Sequence, residues 1–274
     1  PQQILTALHE RADLGPESGW LIGPDGSTID RTDLERVHDP AYVERLFGDG
    51  LEEVLVTVFE LVDAQGNYHR YDPAIATRPL TDMFSGTLRG LAGTYQCGKE
   101  ALERGFCFYL GGGAHHGHYS FGHGFCVVND SVIALRKLQA EGRIRSAWVV
   151  DVDAHKGDGT AALTQGDPSI TTLSVHMARG WPMDLPEYDE QGRRHPSFTP
   201  SDIDVGIESG DEGTYVPRLG AALAGLAAGR RPDLVYVLDG ADPYEHDELP
   251  STAGLRLTRD QMLARDLLIY ETLN

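Results

Sequence analysis

From Phe106 onward the chain alternates short apolar runs of strand length with helical patterns, and this alternation constrains the fold more than any other feature. The runs are FCFYL (Phe106–Leu110), AWVVDVD (Ala147–Asp153), ITTLSVHM (Ile170–Met177) and DLVYVLDGAD (Asp233–Asp242). Between them, NDSVIALRKLQAEG opens at an N-cap, Asn129 or Asp130, and sets Val132, Ile133, Leu135 and Leu138 on one helical face. Glu212–Gly229 is a second helix. Near-continuous apolar strands interleaved with helices predict a parallel sheet covered on both faces. The N-terminal third is less regular, with helices expected in QQILTALHERA, in RTDLERVHDPAYVERLFG and around Met83–Glu103. No linker separates it. The expectation is an α/β chain, one domain over residues 1–274, with a central, mostly parallel sheet flanked by helices.

Charge narrows the function classes. Acidic residues number 42 against 23 basic, a formal net charge of −19, which argues against a nucleic-acid partner and against docking on an anionic membrane. It favours cationic partners by steering. No apolar run reaches the ~18 residues of a membrane span. Cys97, Cys107 and Cys126 form no CxxC pair, so neither a disulfide framework nor a cysteine zinc site is expected; Cys126 reads as core, and the setting as reducing and cytoplasmic.

In an open parallel sheet, ligands gather beyond the carboxyl ends of the strands. The first apolar run leads through GGGA to His115 and His116, the second ends at Asp151, Asp153, His155 and Asp158, and a later one ends at Asp242. By period-two alternation Asp151 and Asp153 face one side, with His155 following on it. Two carboxylates and an imidazole suit a catalytic Zn²⁺ with an open position, and Fe²⁺ or Co²⁺ could take the same ligands. The same spacing also fits a salt-bridged or turn-capping aspartate pair beside a surface histidine. Adjacent histidines can divide acid and base duties when different carboxylates hold them, and Asp151 and Asp158 are at hand. His118 and His123 lie in the same loop and read as solvated, mobile positions.

GGGAHH…GFCVVND, VVDVDAHKGDGT, LSVHM and LDGADPYEHDELPSTAGLRLT, in that order, resemble the metal-dependent histone deacetylase family of the arginase/deacetylase superfamily. VHDPAYVERL is similar to a further family segment, and the resemblance covers roughly residues 30 to 273. It implies an arginase/deacetylase-like fold and a zinc-dependent hydrolase that removes acetyl or other acyl groups from lysine side chains, or from acetylated polyamines and related small amides. On the motif positions it implies Asp153, His155 and Asp242 as metal ligands, and His115 and His116 as the catalytic pair oriented by Asp151 and Asp158. Gly124 and Phe125 would line the acyl-lysine tunnel with Trp181 on the other wall, and residues 181–200 and 74–83 would form its rim. A structural K⁺ would sit at the Asp151–His155 segment, including Asp153, with Ser174 and Val175.

Two departures stand out. Lys156 replaces a second histidine common in the family, at a position expected to be peripheral. The family places a tyrosine in a GGY loop after the next strand, and this sequence ends before that position; Tyr270 is in a helical run and is not that residue. The chain starts at Pro1 and stops within a helical pattern, so both ends are expected to be cut. Losing one transition-state donor costs about 10²–10³ in rate, which keeps a catalytically impaired metal-binding scaffold as an alternative.

Overall fold

The computed structural model describes residues 2–184 and 186–274. Helices α1 (Gln2–His9), α2 (Arg31–Glu35), α3 (Pro40–Phe47), α4 (Leu51–Val58), α5 (Asp82–Arg104) and α6 (Asp130–Ala140) precede the sheet. Then follow β1 (Ala147–Asp151), α7 (Asp158–Thr164), β2 (Ile170–Met177), β3 (Ile203–Ile207), α8 (Tyr215–Ala227), β4 (Leu234–Leu238) and α9 (Arg259–Leu273). Among the described residues no helix is long and apolar enough to cross a membrane.

The strands form one sheet in the order β3-β2-β1-β4, with every pair parallel. All residues of β1 are buried, as its central place requires. Its side chains alternate between two cores: Ala147 and Val149 pack with α2–α6, whereas Trp148 and Val150 pack with residues of α8 and α9. Helices therefore cover both faces, as the interleaved pattern predicts, and the sheet joins the two cores into a single domain.

The register aligns the site. Asp151 pairs with Leu238 of β4, so these two strands finish side by side, and with Ser174 of β2, which runs on to Met177. Helix α6 starts where Asn129 accepts the Val132 N–H at 3.1 Å, and α9 starts with a Thr258–Gln261 capping box.

Two expectations are corrected. Phe106–Leu110 is not a strand; Phe106 and Phe108 are 58% and 61% exposed. The run lines a groove of about 810 Å³ with Val235 and Val237 of β4 on its other side, so no ladder forms, and an apolar run becomes a strand only when a partner accepts its backbone. RTDLERVHDPAYVERLFG holds two helices rather than one. Asp39 caps α3 through the Ala41 N–H at 2.8 Å, Pro40 takes its first position, and His38 between the helices is buried, its Nδ1 2.8 Å from the His118 carbonyl.

Candidate metal and acid/base site

Strand β1 ends at Asp151, and the chain then turns tightly instead of continuing its pleat. The Asp153 N–H donates to Asp151 Oδ1 at 3.1 Å, the His155 N–H to Asp153 Oδ1 at 2.8 Å, and the Ala154 N–H to Asp242 Oδ1 at 3.0 Å. This turn, and not period-two alternation, carries Asp153 and His155 to the segment beyond β4. Gly240 allows the approach, since a Cβ there would lie 2.8 Å from the Asp153 Cα.

Asp153, His155 and Asp242 each offer a ligand atom within 4.8 Å of the others. His155 Nδ1 lies 3.1 Å from Asp153 Oδ1 and 3.0 Å from Asp242 Oδ2, while its Nε2 is 3.1 Å from Ser251 Oγ. Burial opposes charge on His155, but hydrogen bonds to Asp153 and Asp242 outweigh it and push the imidazole up to about 9. Burial raises Asp242, helped by the neighbouring Asp153 charge. Desolvation of the half-buried Asp153 opposes its charge, yet His115 and His155 hold it below the usual carboxylate range. Two acids and one imidazole converging on a single point, with Ser251 fixing the far ring nitrogen, are a donor set that a divalent cation fits.

The paired histidines sit alongside, both 3% exposed, with ring centroids 3.9 Å apart. His115 Nδ1 donates to Asp151 Oδ2 and His116 Nδ1 to Asp158 Oδ1, each at 2.6 Å. Burial opposes charge on both rings. For His115 the Asp151 and Asp153 charges prevail and lift it to about 10, whereas burial and the charge on His115 lower His116 to about 3. The two rings are thus pushed in opposite directions, His115 towards the charged form and His116 towards the neutral one.

Trp181 packs edge-on against His116, ring centroids 4.5 Å apart, and lies 5.4 Å from His155. A Cβ on Gly124 would collide with the Trp181 ring. Gly124 and Phe125 both adopt left-handed backbone, and Phe125 is 44% exposed beside Phe59 and Arg70. Of the expected rim, residues 181–200 reach these side chains through Trp181 and Ser197, with Leu185 outside the described residues. Residues 74–83 contribute Leu80 to the core with α2–α6 instead. Ser174 and Val175 are buried next to the end of β1, where Ser174 Oγ accepts the Gly157 N–H at 3.3 Å.

Three readings of individual residues change. His118 is buried at 1% exposed and His123 is half-buried, and neither points away into solvent: both direct Nε2 at Asp158 Oδ2, at 3.0 and 3.1 Å. Lys156 is not peripheral; it is buried, its Nζ 3.3 Å from Asp204 Oδ2, and Asp204 also receives His176 Nε2 at 3.0 Å. Tyr270 stands on α9 against Phe106, as the helical pattern requires. Sequence reasoning missed Ser197, Ser251 and Arg265. The first two carry no local signal, but an arginine inside an apolar helical stretch is a cue to a buried ion pair.

The histone deacetylase domain family matches residues 2–272. An uncharacterized protein of Picosynechococcus is 32% identical over 89% of this chain and 71% of its own length. A probable deacetylase of Methanothermobacter thermautotrophicus is 28% identical over 90% of this chain and 68% of its own. The crystal structure of an HDAC homolog from Aquifex aeolicus superimposes with a TM-score of 0.66 at 19% identity, over 90% of this chain. This chain spans 63% of the length of that solved one, and the likeness is one of fold.

Proposed function

Because the chain belongs to the histone deacetylase family, we propose that it hydrolyses acyl amides of lysine side chains or related amines, with a divalent cation at Asp153, His155 and Asp242. The observation that supports this reading is the placement of a carboxylate-bound histidine pair directly beside three residues whose ligand atoms could hold a cation. A cation held by those ligands supplies Lewis acidity, which makes water a competent nucleophile near neutral pH. Zn²⁺ suits the donor set, with Fe²⁺ and Co²⁺ as competitors. His116 acts as the base: Asp158 holds its Nδ1 proton, leaving Nε2 to accept one from water. His115, kept charged by Asp151 and Asp153, steadies the developing negative charge and returns a proton to the departing amine. Gly124, Phe125 and Trp181 line the acyl channel, and Asp151, Asp153, His155, Ser174 and Val175 form a structural K⁺ site. A net charge of −19 draws in lysine-rich segments and polyamines alike.

Replacing Asp153 or Asp242 by asparagine is expected to weaken the tightly held cation about 100-fold or more. Metal content after dialysis checks this, and an undiminished content would overturn the ligand assignment. Turnover of an acetyl-lysine peptide against an acetylated polyamine tests the activity and sorts the substrate class; no turnover of either by metal-loaded protein refutes the reading.

His155 gives a pH dependence. Without the cation its imidazole titrates near 9, so at pH 7 it is protonated, and a ligand nitrogen must be neutral. Metal uptake therefore releases a proton, and affinity rises up to ~10-fold per pH unit from 7 towards 9. Titration calorimetry in buffers of different ionisation enthalpy measures this release. Equal apparent enthalpies across buffers would mean that His155 was already neutral.

A further inference from the structure

Asp158 receives more donors than the orientation of His116 requires. Its side chain is wholly buried; Oδ1 takes His116 Nδ1 at 2.6 Å, while Oδ2 faces His118 Nε2 at 3.0 Å, His123 Nε2 at 3.1 Å and the Ser197 hydroxyl. One acceptor atom of this kind, ringed by imidazoles, also describes a cation site. His116, His123 and Asp158 offer ligand atoms that all lie within 4.8 Å of one another, a second such group apart from Asp153, His155 and Asp242.

Two further observations point the same way. His118 Nδ1 is buried with no hydrogen-bond partner while its Nε2 donates to Asp158 Oδ2 at 3.0 Å, so a cation that takes this carboxylate oxygen can send the Nε2 proton to Nδ1 and gain the Nε2 lone pair. His123 is 19% exposed at its side chain and packs 5.0 Å from Trp181 by ring centroids, which gives the cluster an opening to solvent on the side of the proposed acyl channel.

We propose that Asp158, His123 and His116, with His118 alongside, form a second divalent-cation site, weaker than the first, through which excess cation of the Zn²⁺ type switches the protein off. The switching half rests on the proposed hydrolase reading; the binding half does not. The chemistry is specific. His116 donates from Nδ1 to Asp158, and a cation bound between them takes both the carboxylate oxygen and that nitrogen's lone pair. The displaced proton moves to Nε2, the other nitrogen of the neutral ring, so His116 no longer accepts a proton from water. The neutral donors and single carboxylate make this site weaker than one with two carboxylates.

Zn²⁺ titration of the metal-stripped protein, followed by calorimetry and by metal content at equilibrium, tests binding without reference to activity. Two classes of site are expected in the unaltered chain. His123→Ala and His123→Gln should each retain the tight class and weaken the second ~100-fold or more, whereas Asp153→Asn should lose the tight class and keep the weaker one. A single class in the unaltered chain, or an unshifted second class in both correctly folded His123 variants, overturns the proposal. With a turned-over substrate, rates of the unaltered chain should fall at least ~10-fold as the second class fills, and those of the His123 variants should not. Two classes without that fall would refute the switch alone.

Discussion

Replacing His116 by asparagine is expected to lower kcat by about 10²–10⁴ while leaving the tightly bound cation in place. The asparagine amide can still donate towards Asp158, so the buried carboxylate keeps a partner and the fold should hold. What disappears is the ring nitrogen opposite Nδ1, the only atom of that side chain able to take a proton from water. His116 is the neutral member of the pair, and His115 is the charged one. The two substitutions should therefore differ in pH profile. Loss of His116 removes the limb at which activity rises with pH, and loss of His115 removes the limb at which it falls. Rate profiles of metal-loaded His116→Asn and His115→Asn decide the matter. A His116 variant within a few-fold of the unaltered rate would transfer the base role elsewhere.

The largest expected effect on stability comes from Arg265, at 2% exposure on α9. Its guanidinium donates to the Val152 carbonyl at 3.1 Å, the Gly240 carbonyl at 2.8 Å and Asp239 Oδ1 at 2.6 Å. It thus ties α9 to the chain just past β1 and just past β4, one residue before Asp153 and two before Asp242. Arg265→Met conserves much of the stem but leaves these acceptors unpartnered. Breaking a buried ion pair costs about 3–5 kcal/mol, and because Asp239 is 29% exposed at its side chain the lower figure applies. At 2–4 °C per kcal/mol that lowers the Tm by roughly 6–12 °C. Arg265→Lys should recover only part of it, since an ammonium cannot span a forked set of acceptors. Both changes should also weaken the cation at Asp153 and Asp242 by loosening the two loops that carry them. An unchanged melting curve for Arg265→Met would show that the network contributes little.

Residue type and order were enough to read several features. Runs such as Ala147–Val150 and Leu234–Leu238 are hydrophobic at every position because both faces of the sheet are covered, and that leaves a mark in one dimension. The aspartates and histidines placed just after such runs were legible as a candidate site for a related reason: a charged group ending a buried strand needs a partner. Phe106–Leu110 shows the limit, because the run has strand composition but lacks a ladder partner, and pairing is a property of the neighbour.

By itself, then, the sequence determined the interleaved α/β architecture and the identities of the residues at the strand ends, since periodicity and desolvation act locally along the chain. Only the tertiary structure decided which carboxylate each histidine meets, that His118 and His123 turn inward to Asp158, and that Lys156 and Arg265 are buried against acids from distant segments. Those contacts join residues far apart in the chain, and their energy depends on burial created by the packed sheet, which no local pattern encodes.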